Sequence, residues 1–190
     1  MNHLGGHGNK TWVDKGALSF LSNTFSISSM LDIGCGPGGM KEIAESLNID
    51  WTGIDGDPSI EKEGILIHDF TKGSVKDLPV FDLGWSVEFL EHVEEQYQPS
   101  YMHVFSRCKY VVCTAASPGF GGFHHVNEQC IDYWIKTFEK YGFKYNPEYT
   151  KLTAENSTMK QHVKKTQMSF IEMTGMFFEN IDIKEHLDED

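Results

Sequence analysis

An apolar run at residues 30–33 ends in Gly34-Cys35-Gly36-Pro37-Gly38-Gly39, and an acid, Asp55, closes a second apolar stretch downstream. Glycines in such a loop reach positive φ and let a ligand approach bare backbone. Strand, tight loop and helix in that order suit a nucleotide-type ligand. Gly34, Gly36 and Gly39 fit G-x-G-x-x-G, a pattern several ligand classes share, so the glycines alone do not choose among them. The acids nearby narrow the choice. Asp32 stands two residues before the loop, and Asp69 and Glu88 fall on the same rim. Carboxylates repel a pyrophosphate and attract a cation.

A second group of candidates lies in the stretch 115–127, which carries Pro118, Gly119, Gly121, Gly122 and the pair His124-His125. A loop of that length inside a compact domain is often functional. Histidine titrates in the range useful for taking a proton from a substrate, so His124 and His125 are the candidate catalytic bases. Phe120 and Phe123 are candidates to face a substrate, and His3 and His7 to close over it. Cys35 reads as a small space-filler. No His, Asp or Glu spacing marks a metal site, and none is expected.

These residues need elements to hold them. Apolar periodicity predicts a helix over 12–23 with Val13, Ala17, Leu18 and Leu21 inward, and another over 39–48 with Met40, Ile43, Ala44 and Leu47 inward. Helices are also expected at 94–107, at 128–141 with Ile131, Trp134, Ile135 and Phe138 inward, and near 159–172. Strands are expected at 29–33, 51–55, 65–68, 81–86, 110–114, 143–149 and 175–181. Strands alternating with helices imply a parallel sheet covered on both faces. Ligands of such sheets bind beyond the carboxyl ends of the strands. Residues 32–38, Asp55, His68-Asp69 and 86–88 all lie at such ends, and that convergence is the main argument for a site.

The chain of 190 residues suits one domain, spanning 1–190, with a mobile segment at 1–10 and a frayed acidic tail at 185–190. A formal net charge of −12 without a basic stripe argues against a nucleic-acid partner; Lys164-Lys165 is only a short pair. No apolar run has the roughly 20 residues of a membrane span. The four cysteines contain no C-x-x-C, so free thiols and a cytoplasmic location are expected.

Two cofactors fit the glycine loop by shape. A dinucleotide brings a pyrophosphate; S-adenosylmethionine brings a sulfonium, an ammonium and a carboxylate, which the acid-rich rim suits better. Asp32 can serve the amino-acid end, and Asp69 can accept from an adenine amino group. Asp55 can bind a ribose diol in either.

Residues 31–38 (Leu-Asp-Ile-Gly-Cys-Gly-Pro-Gly), Gly53-Ile-Asp-Gly56, His68-Asp69-Phe70 and Glu88-Phe-Leu-Glu-His-Val93 resemble successive signature blocks of class I S-adenosylmethionine-dependent methyltransferases. Gly142-Phe143 and Gly175-Met-Phe-Phe-Glu-Asn180 are similar to that family's closing hairpin. The resemblance implies a Rossmann-like three-layer α/β sandwich with a seven-stranded sheet, mostly parallel, whose last strand is antiparallel. It also implies that the backbone of Gly34, Cys35, Gly36 and Gly38 meets the methionine and ribose parts and that Asp55 binds the ribose. Gly56, His68, Asp69 and Phe70 would flank the adenosine, and Ser86, Val87 and Glu88 would line the methionyl part. Glu91-His92 would position a helix start. The expected reaction is in-line methyl transfer to a small-molecule acceptor, a sugar or other metabolite, with S-adenosylhomocysteine as product. Two rivals stay open: an S-adenosylmethionine-binding protein that acts through partners, and a nicotinamide-dependent oxidoreductase. Oligomeric state is not readable from the sequence.

Overall fold

In a computed structural model, residues 4, 6–159 and 167–183 are described. The expectations for His3, Lys164-Lys165 and the tail at 185–190 lie outside the described residues. Seven strands form one sheet: β1 (Ser29–Ile33), β2 (Asp50–Asp55), β3 (Ile65–Ile67), β4 (Phe81–Ser86), β5 (Cys108–Cys113), β6 (Phe143–Tyr145) and β7 (Met176–Asn180). Their order is β3-β2-β1-β4-β5-β7-β6. β7 runs antiparallel to both β5 and β6, and the pairs from β3 to β5 are parallel. The strand order reverses between β1 and β4, the point at which open α/β sheets bind ligands.

Both faces of the sheet are covered, and successive residues of a strand enter opposite cores. Leu31, Val111 and Phe178 join one apolar cluster; their neighbours Met30, Val112 and Phe177 join the other. That is the period of two expected of a strand, and it explains why β5 reads as a continuous apolar run. Phe138 stacks on Phe178 with ring centroids 4.2 Å apart, fixing α4 (Ile131–Glu139) on the first face.

The helices follow local capping. α1 (Lys15–Phe25) starts later than expected because Asp14 is its N-cap: the buried carboxylate accepts from Ala17 N at 3.0 Å. Val13 therefore precedes the helix and is exposed, whereas Ala17, Leu18 and Leu21 are buried as predicted. The same Asp14 carboxylate accepts from Thr158 N at 2.8 Å and from Ser157 Oγ, tying α1 to a distant segment. α2 (Met40–Ser46) follows the glycine loop directly. The stretch expected as one helix from 94 opens instead as a 3-10 turn, Glu95–Tyr97, and continues as α3 (Gln98–Phe105).

Two expectations near the end of the chain are corrected. The strand expected to run to Tyr149 stops at Tyr145, because Asn146 caps a helix α5 (Pro147–Glu155), accepting from Tyr149 N at 3.0 Å. Proline in a first helical turn has no N–H to lose, so it starts a helix there. The helix expected at 159–172 is, among the described residues, the short α6 (Phe170–Thr174), opened by a capping box of Ser169 and Glu172. No helix among the described residues is long and apolar enough to cross a membrane.

Candidate functional site

The glycine loop is pinned to the sheet before any ligand is considered. Gly34 N and Cys35 N both donate to Ile54 O, at 2.8 and 3.1 Å. Gly36 N donates to Asp55 Oδ2 at 2.8 Å, and Asp57 N to Asp55 Oδ1 at 2.9 Å. Gly34 and Gly36 have φ of 73° and 52°, which L side chains rarely adopt. A β-carbon on Gly34 would stand 2.6 Å from the Phe89 ring, so no larger residue fits there.

Beyond the strand ends lies a cavity of about 460 Å³. From β1 and its loop, Asp32, Gly34, Cys35 and Gly36 line it; from the end of β2, Asp55 and Gly56. His68, Asp69 and Phe70 line it after β3, and Val87 and Glu88 after β4. His124 reaches it from the long loop after β5. Four separate strand ends thus meet at one cavity, as the spacing predicts.

Three predicted site residues are not brought there. Gly38 faces the back of the loop, where a β-carbon would stand 3.0 Å from Trp51 and 3.3 Å from Ile65. Ser86 is fully buried and its Oγ donates to Ile33 O at 2.9 Å, stitching β4 to β1. His125 does not line the cavity, because its Nδ1 lies 2.9 Å from Glu128 Oε1. Phe120 is not a lining residue either, and Phe123 is 61% exposed.

The lining is acidic. Among the described residues it holds five carboxylates, Asp32, Asp55, Asp69, Glu88 and Glu94, against one lysine, Lys10. Burial, reinforced by the nearby Asp55, raises the Asp32 pKa to about 7 against a lowering hydrogen bond from Trp51 Nε1 at 3.2 Å. A cation beside such a carboxyl favours its charged form, and an anion disfavours it. Burial likewise lifts Glu88 to about 7, although Thr114 Oγ1 donates to it at 3.0 Å. Burial pushes the Cys35 thiol far up, which suits a space-filler and not a nucleophile. Asp69 Oδ1 caps the turn Phe70–Lys72, accepting from Thr71 N and Oγ1 at 2.9 and 2.7 Å. His68 Nε2 is 2.8 Å from Gly73 O, which fixes its ring.

The N-terminal segment, whose His7 the sequence offers as a candidate to close over the site, does line the cavity, through Leu4, Gly6, His7, Lys10, Thr11 and Trp12. His7 Nε2 lies 3.1 Å from Asp57 Oδ2, a contact that no periodicity of a polar, glycine-rich segment announces. Phe89, His92 and Tyr97 also line the cavity. Glu91 and His92 sit on a 3-10 turn, Leu90–His92, and not at a helix start. Glu91 O accepts from Val126 N and Asn127 N at 2.9 and 3.1 Å, so this turn holds the end of the long loop. Burial, with His125 and His124 nearby, lowers the His92 pKa to about 4. Glu91, His92 and His125, which no sequence spacing joins, each offer a possible ligand atom within 4.8 Å of the others.

No family model matches the chain. No curated protein matches it. Solved structures share its fold. A TehB-like S-adenosylmethionine-dependent methyltransferase from Corynebacterium glutamicum superposes with a TM-score of 0.60 at 14% identity, covering 87% of each chain. The plantazolicin methyltransferase BpumL, solved with a substrate analog and SAH, gives 0.56 at 14% identity, covering 87% of this chain and 82% of its own. The cyclase SpnF gives 0.53 at 15% identity, covering 75% and 64%. At such identities the likeness concerns the fold.

Proposed function

We propose that this chain, which has the class I S-adenosylmethionine-dependent methyltransferase fold, is a methyltransferase acting on a small-molecule acceptor. The observation that carries the reading is the convergence of four strand ends on one acid-lined cavity beside a glycine loop. A cavity of about 460 Å³ whose described lining carries five carboxylates and one lysine fits a cationic adenosyl compound and not a pyrophosphate. When bound, S-adenosylmethionine supplies a methyl group activated by its sulfonium.

The chain's own residues then have these tasks. Asp55 holds the ribose diol with lone pairs left over from Gly36 N and Asp57 N, since each carboxylate oxygen accepts more than one hydrogen bond. Asp32 faces the ammonium and Asp69 the adenine amino group. Val87 and Glu88 flank the methionyl end, and Phe89 covers the loop. His124 accepts the proton of the acceptor. Phe89 and the N-terminal segment from Leu4 to Trp12 exclude water and hold the acceptor near the loop, so orientation supplies much of the rate.

A small metabolite suits the closed wall made by that segment, and a net charge of −12 disfavours nucleic acid. Free cysteines go with a cytoplasmic location. Because SpnF is a cyclase of the same fold, the fold does not decide the reaction. The test is a screen of sugars and other metabolites with labelled S-adenosylmethionine. Methylated product is expected from one class. Tight S-adenosylhomocysteine binding with no product from any class would favour a binding protein instead.

A further inference from the structure

Glu91 has no part in the proposed reaction, yet its burial needs a reason. It is 0% exposed, and among the described residues neither carboxylate oxygen has a hydrogen-bond partner. A buried carboxylate without partners is costly unless something positive, or a proton, meets it. Two imidazoles stand beside it. The His92 and His125 rings meet edge to face with centroids 4.9 Å apart. One ligand atom from each of Glu91, His92 and His125 lies within 4.8 Å of the other two. Metal bonds of about 2.0–2.2 Å in a tetrahedral set leave ligand atoms about 3.4 Å apart, so side-chain shifts of about 1 Å close the set.

The surroundings are built to hold these groups. His125 Nδ1 is 2.9 Å from Glu128 Oε1, and Glu128 is itself anchored by Gly119 N and Gly121 N, at 2.8 and 2.6 Å. A carboxylate on one ring nitrogen fixes the tautomer that leaves the lone pair on the other, as in metal-ligating histidines. Gly122 makes room for this ring: a β-carbon there would stand 2.2 Å from His125 Nε2. The hydrogen bonds from Val126 N and Asn127 N to Glu91 O clamp the loop bearing His125 to the turn bearing Glu91 and His92.

We infer that Glu91, His92 and His125 bind one divalent transition-metal ion at the wall of the cavity, with Glu128 as the positioning residue for His125. Two imidazoles and one carboxylate suit zinc, manganese, iron or cobalt, whereas magnesium and calcium favour all-oxygen sets. Three protein ligands leave coordination positions open, and His92 is the ligand that lines the cavity. The acceptor class follows, resting on the methyltransferase reading: a metabolite whose hydroxyl or carbonyl oxygen completes the coordination. Burial and the nearby Glu88 push Glu91 well above the usual carboxylate range, which without a cation favours a proton on it. The competing account is a proton shared between Glu88 and Glu91.

The test uses the full chain, stripped with chelator, then titrated with Zn²⁺ and with Co²⁺ by calorimetry and visible absorption. One ion per chain is expected, with Co²⁺ ligand-field bands that Zn²⁺ abolishes and equimolar Mg²⁺ does not. Glu91→Gln and His125→Ala should each weaken binding at least 100-fold, and Glu128→Gln about 10–100-fold. In chelator, Glu91→Gln should melt at or above the parent; with Zn²⁺ only the parent should rise. Failure of the folded parent to bind Zn²⁺ or Co²⁺, or unchanged affinity in both Glu91→Gln and His125→Ala, overturns the site and favours the shared proton. S-adenosylhomocysteine binding is measured on the same samples: its loss in the parent would sink the methyltransferase reading, and its retention without Co²⁺ binding sinks the metal site alone.

Discussion

At one end of the cavity, Asp32, Asp55 and Asp69 stand at or just past the tips of adjacent parallel strands, and backbone N–H groups or an indole hold their carboxylates. Elsewhere in the lining, His92 and His124 come from a 3-10 turn and a loop, joined by contacts such as Val126 N to Glu91 O, and His7 reaches Asp57 from the N-terminal segment. The first end is fixed by the sheet ladder, whose register leaves a strand-tip residue little choice of position. The second is assembled from segments far apart in sequence, each free to vary without disturbing the sheet. A cofactor common to many reactions fits the first kind of construction, and an acceptor particular to one protein fits the second.

That contrast predicts that changes at the two ends fail differently. His124→Gln is expected to lower turnover about 10²–10⁴-fold while leaving S-adenosylhomocysteine affinity nearly intact, as loss of a general base does. Steady-state kinetics beside calorimetry measure both. Asp55→Ala should do the reverse, weakening cofactor affinity about 10–100-fold, the value of a charge-assisted hydrogen-bond set. Asp57→Ala should weaken it less, since Asp57 caps the turn Pro58–Ile60 and meets His7. Equal losses from the two would erase the distinction between a strand-tip ligand and a turn residue.

A pH titration sharpens the same comparison. Asp32 has a pKa raised from about 3.8 to about 7 by burial. A raised carboxyl stabilises the free fold below its unfolded value and loses that contribution as pH rises through about 7. Cofactor affinity should therefore climb between pH 6 and pH 7, by up to about tenfold per unit, and level off above. Asp32→Asn should flatten the profile, weaken binding, and raise the melting temperature of the free protein at pH 8. A steep profile retained in Asp32→Asn would assign the titration to another group.

The smallest effect belongs to neither end. Asp82 sits at the amino-terminal side of β4, where burial would raise its pKa. Bonds from Ser28 and from Lys109, at 2.7–2.9 Å, outweigh burial and hold it at about 2. Its contribution is present above pH 3.8 and is lost as pH falls toward 2. Asp82→Ala should cost about 1 kcal/mol of stability near neutrality and leave ligand binding unchanged.

The cofactor end was legible because each part is a short contiguous signal. An apolar run stopping at Gly34, another at Asp55 and another at Ser86 gave β1 and β4 their bounds to the residue. What stayed hidden depended on distant partners. Asp14 reads as an ordinary acid until Thr158 and Ser157 meet it. Asn146-Pro147 was a helix start that the β-branched and aromatic neighbourhood of β6 masked. Glu91, His92 and His125 carry no recognisable spacing, because the loop that joins them has no period. His7 was legible as a residue that could close over the site, but its partner Asp57, fifty residues on, was not.

The account rests on an acid-lined cavity selecting an adenosyl cofactor over a dinucleotide, and calorimetry of the purified chain with S-adenosylhomocysteine and with NAD tests that most directly. One site for S-adenosylhomocysteine, a matching rise in melting temperature by mass action, and no heat or shift with NAD are predicted. Saturable binding and stabilisation by NAD, with none by S-adenosylhomocysteine, would contradict it.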